Sequence, residues 1–320
     1  MNKYNESPKV IKNFLGYLQI IKGKSPKTID EYFLDLRTFF RFIKQKKNKV
    51  SKNILFEEIS ISDVDIELIK EISLIDIYEY LNYVLVDRRN NASTRSRKVS
   101  SLKSFFKYLT NKTNQLSNDP SKKLDMPKKK SSLPKFLTLD QSLNLLKSVE
   151  GPYKERDYCI LTLFLNCGIR LSELVSINFN DVRENTLRVI GKGNKERIIY
   201  LNNACVNAID EYKKIRPIDG IIDKNALFIS KRKKRISPKT VQFIVYKYLN
   251  DIDLGNQGYS VHKLRHTAAT LMYQYGNVDI RILKDILGHS NLGTTEIYTH
   301  LSSKQMKDAA FSNPLSNVKK

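Results

Sequence analysis

All four histidines of this 320-residue chain fall between Ser260 and His300. They sit in three short runs: Ser260-Val-His262-Lys-Leu-Arg265-His266-Thr267, Leu287-Gly288-His289, and Thr294-Thr-Glu-Ile-Tyr298-Thr-His300. Histidine, arginine and tyrosine at these spacings have the chemistry to grip a phosphate and attack it with a phenol. A guanidinium holds two nonbridging phosphate oxygens in a bidentate fork, and an imidazole beside it adds a donor or moves a proton. A tyrosine oxygen is a competent nucleophile once its proton has somewhere to go. The substrate such a group set implies is the backbone of a nucleic acid.

Elements predicted from the sequence must bring these groups together. His262 and Arg265 stand at i and i+3 of a predicted helix, so both project from one face. Alone, such a pair is more often a pair of ordinary helix-surface groups. Arg170 lies in Asn166-Cys-Gly-Ile-Arg-Leu-Ser-Glu-Leu174, where one helix ends at Gly168 and another begins near Ser172. An arginine there caps carbonyls or pairs with Glu173 at the surface; it is also placed to meet a ligand beside a helix N-terminus. Residues 186–190 and 197–201 alternate as two strands around Gly191-Lys-Gly-Asn-Lys-Glu196, which puts Lys192 at a hairpin tip. A lysine at a tip is solvated, or is delivered into a groove. The Gly-x-Gly there is not a nucleotide phosphate loop, because no helix follows it. Gly288 reads as the left-handed terminator of a helix over 278–287, and His289 beside it would settle the negative helix end. Tyr298 is one of 17 tyrosines, most of which must be core or surface aromatics.

Charge narrows the partner. The net charge is +23, with 27 Lys+Arg against 15 Asp+Glu in residues 1–130 and 29 against 18 in residues 131–320. The excess is shared by both halves, so a basic tail does not account for it, and a field of this sign attracts polyanions. Nucleic acid is the commonest such partner; ribosome-like adhesion and anionic membrane surfaces are the others. Cys159, Cys167 and Cys205 are odd in number and lack Cys-x-x-Cys spacing, so neither a disulfide framework nor a zinc ribbon is indicated. They read as buried thiols in a reducing cytosol. No apolar signal region opens the chain and no stretch reaches membrane-spanning length, so a cytoplasmic protein without a membrane partner is expected.

The chain divides near residues 115–135. Residues 1–115 are expected to form a helical domain, 116–134 a basic linker, and 135–320 a second domain, mostly helical with one hairpin. Four helices are predicted in the first. Val10, Phe14, Leu15, Leu18 and Ile21 make one apolar stripe; Tyr32, Leu36, Phe39, Phe40 and Ile43 make the next, opened by Ser25-Pro26 with Thr28 and Glu31 as capping pair. A third helix covers 73–87 with Ser73 and Asp76 at its start. A fourth covers 93–109, burying Val99, Leu102, Phe105, Phe106 and Leu109, and its cations Arg95, Arg97, Lys98, Lys103 and Lys107 favour phosphate contact. Residues 57–79 carry eight acids and only Lys70, and are expected to face away from nucleic acid, toward solvent or a basic surface of a neighbouring subunit. Residues 111–134, with Pro120, Pro127 and Lys128-Lys-Lys130, read as an extended basic stretch, and 231–235 (Lys-Arg-Lys-Lys-Arg) as a loop serving phosphate contact or solubility.

Arg170, Lys192, His262-x-x-Arg265, His289 and Tyr298, in that order, resemble the signature of the tyrosine recombinase (phage-integrase-like) family. The surrounding words resemble it too: Gly168-Ile-Arg-Leu-Ser-Glu-Leu174, Gly191-Lys-Gly-Asn-Lys-Glu-Arg197, His262-Lys-Leu-Arg-His-Thr267, Leu287-Gly-His289 and Thr295-Glu-Ile-Tyr-Thr-His300. Residues 135–310 carry the resemblance, and 10–110 resemble the family's SAM-like helical DNA-binding domain. The Gly-Lys-Gly-Asn-Lys hairpin and compact length are similar to Xer-type recombinases, which resolve chromosome dimers. Cys167 stands where threonine is frequent, and the acidic segment after Val50 is longer than usual for that group.

The resemblance implies a mainly α, two-domain DNA clamp with a small β hairpin. It implies that Tyr298 attacks a backbone phosphorus, giving a 3′-phosphotyrosyl link and a free 5′-hydroxyl. Arg170 and Arg265 would clamp the phosphate, His289 would donate a further hydrogen bond, Lys192 would protonate the departing oxygen, and His262 would assist proton movement. No cofactor or metal is expected, since the covalent link conserves the bond energy. The partners implied are a double-stranded recombination site and three further protomers, in a homo-tetramer or a hetero-tetramer with a paralogous recombinase. The residues from Leu301 to about Phe311 would form a small helix that docks on a neighbour. A type IB topoisomerase, a non-catalytic DNA-binding relative and a metal-dependent nuclease are the competing readings.

Overall fold

The computed structural model describes residues 4, 7–51, 53–128, 135–191, 195–276 and 278–288. It divides into two compact units, 1–131 and 132–320.

The first unit contains α1 (Lys9–Ile20), α2 (Pro26–Lys46), α3 (Ile66–Lys70), α4 (Leu74–Val86) and α5 (Ala92–Asn111). Its core is aromatic. Phe14, Phe39, Phe40, Tyr80, Phe105 and Phe106 meet edge to face with ring centroids 5.0–6.2 Å apart, the arrangement that the ring quadrupole favours. The buried stripe of α1 is Ile11, Phe14, Leu15 and Leu18, whereas Ile21 lies beyond the helix and is exposed. The cap of α2 is Ser25, whose Oγ accepts the Thr28 N–H at 3.3 Å, with Pro26 in the first turn. Thr28 and Glu31 are therefore inside the helix, since Pro26 can only begin one. Ser73 and Asp76 form the reciprocal cap that their spacing predicts for α4.

The two charged stretches find partners within this unit, and the acidic one faces solvent as expected, the side chains of Glu57, Asp63 and Glu71 being 64%, 65% and 49% exposed. The cations of α5 are largely committed within the fold. Arg97 and Lys98 both donate to the buried Asp35, at 2.5 and 3.0 Å; Arg95 caps the Asn90 carbonyl and Lys103 holds the Leu124 carbonyl. Lys107 is exposed. The acidic segment meets cations of its own unit: Glu57 pairs with Arg41 and Arg88, Asp63 with Lys44, Glu71 with Lys47, and Asp76 and Glu79 with Lys46. Nor is the stretch after α5 extended throughout. Leu116 and Leu124 enter the aromatic core, so the chain stays packed on the first unit as far as Leu124.

The second unit is built around α7 (Lys154–Cys167), charged in its first turn and buried on every side from Cys159 to Leu165. The rest comprises α6 (Leu139–Lys147), α8 (Leu171–Ser176), α9 (Asn203–Ile215), α10 (Pro238–Asp251), α11 (Val261–Tyr275) and α12 (Ile280–Leu287). A three-stranded antiparallel sheet runs β1 (Val182–Arg183), β2 (Thr186–Ile190), β3 (Glu196–Tyr200), with Val189 opposite Arg197. The alternation of β2 puts Leu187 and Val189 into the core. Arg235, the last residue of the basic loop, is structural: it bonds Asp223, Asn178 and the carbonyls of Val175 and Ile177. Residues 231–234 are exposed. All three cysteines are buried and unbridged.

Candidate active site

The site grows from three helix ends. α7 stops at Gly168, which takes φ +57°, a conformation that costs an L side chain about 1–2 kcal/mol. Space forbids a side chain as well, because a Cβ on Gly168 would lie 2.9 Å from Leu287 Cδ2. The reversal turns the chain directly into Arg170, the N-cap residue of α8. Glu173, one turn on, accepts both the Arg170 main-chain N–H and its guanidinium, each at 2.8 Å. α12 also ends on a left-handed glycine, Gly288, φ +63°.

Two arginines satisfy the orphan carbonyls of that helix end. Arg265 Nη2 donates to Leu287 O at 2.5 Å, and Arg170 Nη2 to Gly288 O at 3.0 Å. Arg265 Nη1 reaches back to Gly168 O at 2.8 Å, so one guanidinium ties the end of α7 to the end of α12. It is 2% exposed. His262, one turn earlier on α11, opens to solvent on one side, yet its basicity is lowered by burial first, and then by Arg265, Lys263 and Arg170. Near neutral pH it is therefore an uncharged imidazole that can accept or pass a proton. Its ring meets that of His266 edge-on at 4.5 Å.

Arg170, His262 and Arg265 line one cavity of about 750 Å³, whose lining also includes Phe243 and Tyr246 of α10. The structure thus brings together three of the six residues expected to act. Lys192, His289 and Tyr298 lie outside the described residues, as does the segment from Leu301 to Phe311. Gly191, at the root of the hairpin, is described, and a Cβ on it would stand 3.5 Å from Glu173 Oε1 and 4.0 Å from Arg170 Nη1. The hairpin therefore starts beside the arginine cluster.

Comparison with known proteins settles what this geometry belongs to. Residues 135–305 match the phage integrase family, and residues 10–115 match the phage integrase N-terminal SAM-like domain. The tyrosine recombinase XerC of Caldanaerobacter subterraneus subsp. tengcongensis is 55% identical over 309 residues, 97% of this chain and 88% of that protein. The chain belongs to the phage integrase family. It is a tyrosine recombinase, an enzyme that cleaves and rejoins DNA. Tyrosine recombinase XerD of Proteus mirabilis is 31% identical, covering 96% of this chain and 93% of its own. Among solved structures, the XerA recombinase aligns over 98% of this chain and 99% of its own, with 26% identity and a TM-score of 0.51. The XerH recombinase bound to a palindromic difH substrate shares the fold, with a TM-score of 0.70 and 20% identity over 94% of this chain and 84% of its own.

Two features of the recombinase site were not assigned by sequence reasoning. Glu173 is fully buried, not a surface partner, and carries both Arg170 and Arg197. Its carboxyl is held down to about 2; burial alone would raise it, and the hydrogen bonds from Arg197 and from the Arg170 main chain overcome that. Arg197 sits at the end of the glycine-lysine hairpin motif, and its inward position follows from the strand pairing. Among the described residues, no group of three His, Cys, Asp or Glu is placed to hold a metal ion, and no helix is long and apolar enough to cross a membrane.

Proposed function

We propose that this recombinase is a Xer-type, site-specific enzyme in which Tyr298 forms the covalent 3′-phosphotyrosyl link and Arg170, Lys192, His262, Arg265 and His289 activate the phosphate. The observation that carries the reading is the convergence of Arg170, at the start of α8, with His262 and Arg265 of α11 on one open cavity, both arginines being tied to the glycine-terminated end of α12. A scissile phosphate in that cavity would meet preorganised donors, which cost no reorganisation when charge develops on it. The neutral His262 beside it is suited to passing the tyrosine proton. Lys192 protonates the departing 5′-oxygen, and His289, the residue after Gly288, donates to a nonbridging oxygen.

The substrate is a pair of double-stranded recombination sites, and the working unit is a tetramer, of this chain alone or with a paralogous recombinase. The similarity to proteins named XerC and XerD supports resolution of chromosome dimers over mobile-element integration.

Covalent trapping tests this. The protein is incubated in EDTA with nicked duplexes drawn from its own genome, and detergent-stable adducts are isolated. Wild type is expected to form an adduct and Tyr298→Phe none; an adduct that persists in the variant would remove Tyr298 from its role. Sequencing the trapped DNA separates a chromosomal site from a mobile-element junction.

A further inference from the structure

Arg197 has no assigned part in the chemistry, yet its guanidinium is tied closely into the site. It lies on β3 opposite Val189, and its guanidinium faces Glu173 as a fork: Nη1 to Oε1 at 2.7 Å and Nη2 to Oε2 at 3.0 Å. Glu173 Oε1 is the same oxygen that takes Arg170 Nη1. Arg197 also packs flat on Gly288, where a Cβ would lie 3.3 Å from both its Cδ and its Nη1. Gly288 in turn offers its carbonyl to Arg170 Nη2. Arg197 thus braces both groups that hold the Arg170 guanidinium, while its own buried Nε has no hydrogen-bond partner among the described residues.

The competition for one carboxylate gives this arrangement a consequence. A guanidinium has five N–H donors, and a buried carboxylate facing a lone guanidinium draws it into a two-bond fork. Because Arg197 occupies both oxygens, Arg170 spends one donor on Glu173 and one on Gly288, and keeps the others for a ligand in the cavity.

We infer that Arg197 is a positioning residue: by holding Glu173 in a fork and seating Gly288, it keeps the Arg170 guanidinium aimed at the scissile phosphate. The inference rests on the proposed recombinase chemistry of Arg170. It assigns no contact between Arg197 and DNA.

The test is single-turnover cleavage of a nicked duplex at saturating protein, run beside equilibrium DNA binding and a thermal melt. The proteins are wild type, Arg197→Ala, Arg197→Lys, Arg170→Ala and the Arg170→Ala, Arg197→Ala double variant. Arg197→Ala is expected to slow cleavage by about tenfold to a hundredfold, the cost of misplacing a catalytic group by about 1 Å, with DNA affinity within about twofold. Arg197→Lys keeps the charge but not the fork, so it should recover only part of the rate. The double variant should cleave no more slowly than Arg170→Ala, since Arg197 acts through Arg170. Unchanged cleavage in Arg197→Ala, full recovery in Arg197→Lys, or multiplicative losses in the double variant would each overturn the inference. If Arg197→Ala does not fold, the rate of Arg197→Lys against wild type decides in the same way. Absence of an adduct from wild type itself would instead overturn the recombinase chemistry on which the inference stands.

Discussion

Gly168 and His262 show how far single residues set this site. Gly168 is the position where backbone conformation and space agree: φ is +57°, a Cβ would strike Leu287, and its carbonyl anchors Arg265. Gly168→Ala should cost about 1–2 kcal/mol from the left-handed backbone alone, lowering the melting midpoint by several degrees. Cleavage should fall further than stability, because Arg265 is displaced with the turn; a variant that melts lower yet cleaves at the wild-type rate would disconnect the turn from the clamp. For His262 the sign of the pH effect is fixed by its surroundings. Its folded basicity is lowered, so an unfolded chain takes up a proton near pH 6.5 that the folded protein refuses. Stability is therefore lost as pH falls through that value. His262→Gln should flatten the fall in urea-unfolding free energy between about pH 6.5 and pH 5 relative to wild type. Glu173, held down to about 2, stays ionised in the folded protein, and its own loss of stability sets in mainly below about pH 5, as the unfolded carboxylate takes up a proton.

Helix ends and buried ion pairs decide the behaviour of the elements. The close of α12 is held by guanidiniums from α11 and from the start of α8, so three elements become a single support, with the Leu287 carbonyl buried against Arg265. In the first unit, α2 and α5 are pinned by Asp35, 1% exposed, which takes Lys98 and Arg97 together. Removing one partner of a buried pair leaves an uncompensated charge. Asp35→Ala should thus destabilise this unit by about 3–5 kcal/mol, seen as an early transition in a urea melt followed by circular dichroism. A change under about 1 kcal/mol would mean that Lys98 reaches water without its partner. Because these cations already have partners, α5 is a weaker source of phosphate contacts than its composition implies.

At the scale of the whole molecule, the excess of positive charge governs encounter with DNA. The +23 of the chain is already net of the acids in residues 57–79, much of whose charge is paired with cations of their own unit. DNA affinity should drop steeply between ~50 and ~200 mM salt, as counterions released by several phosphate contacts are driven back. A flat salt profile in a filter-binding or fluorescence titration would argue against a clamp held by phosphates. The fall should be similar on specific and unrelated duplexes, since backbone contacts carry no sequence information.

The sequence by itself determined the class of this protein. The order and wording of its short motifs point to one enzyme family, and the periodicity of apolar residues places most of the helices and the hairpin, because side-chain spacing along an element is a local property. Terminating glycines at 168 and 288 were readable for the same reason: a left-handed residue after a helix is a local event. Tertiary structure alone decided which charges hold the fold. Nothing local distinguishes Lys98, buried against Asp35, from Lys107, exposed on the same helix. Nor does sequence separation foretell that Arg197, Glu173 and Gly288 meet. Electrostatic partnership depends on distance in space and on removal from water, and both are set only when the helices pack.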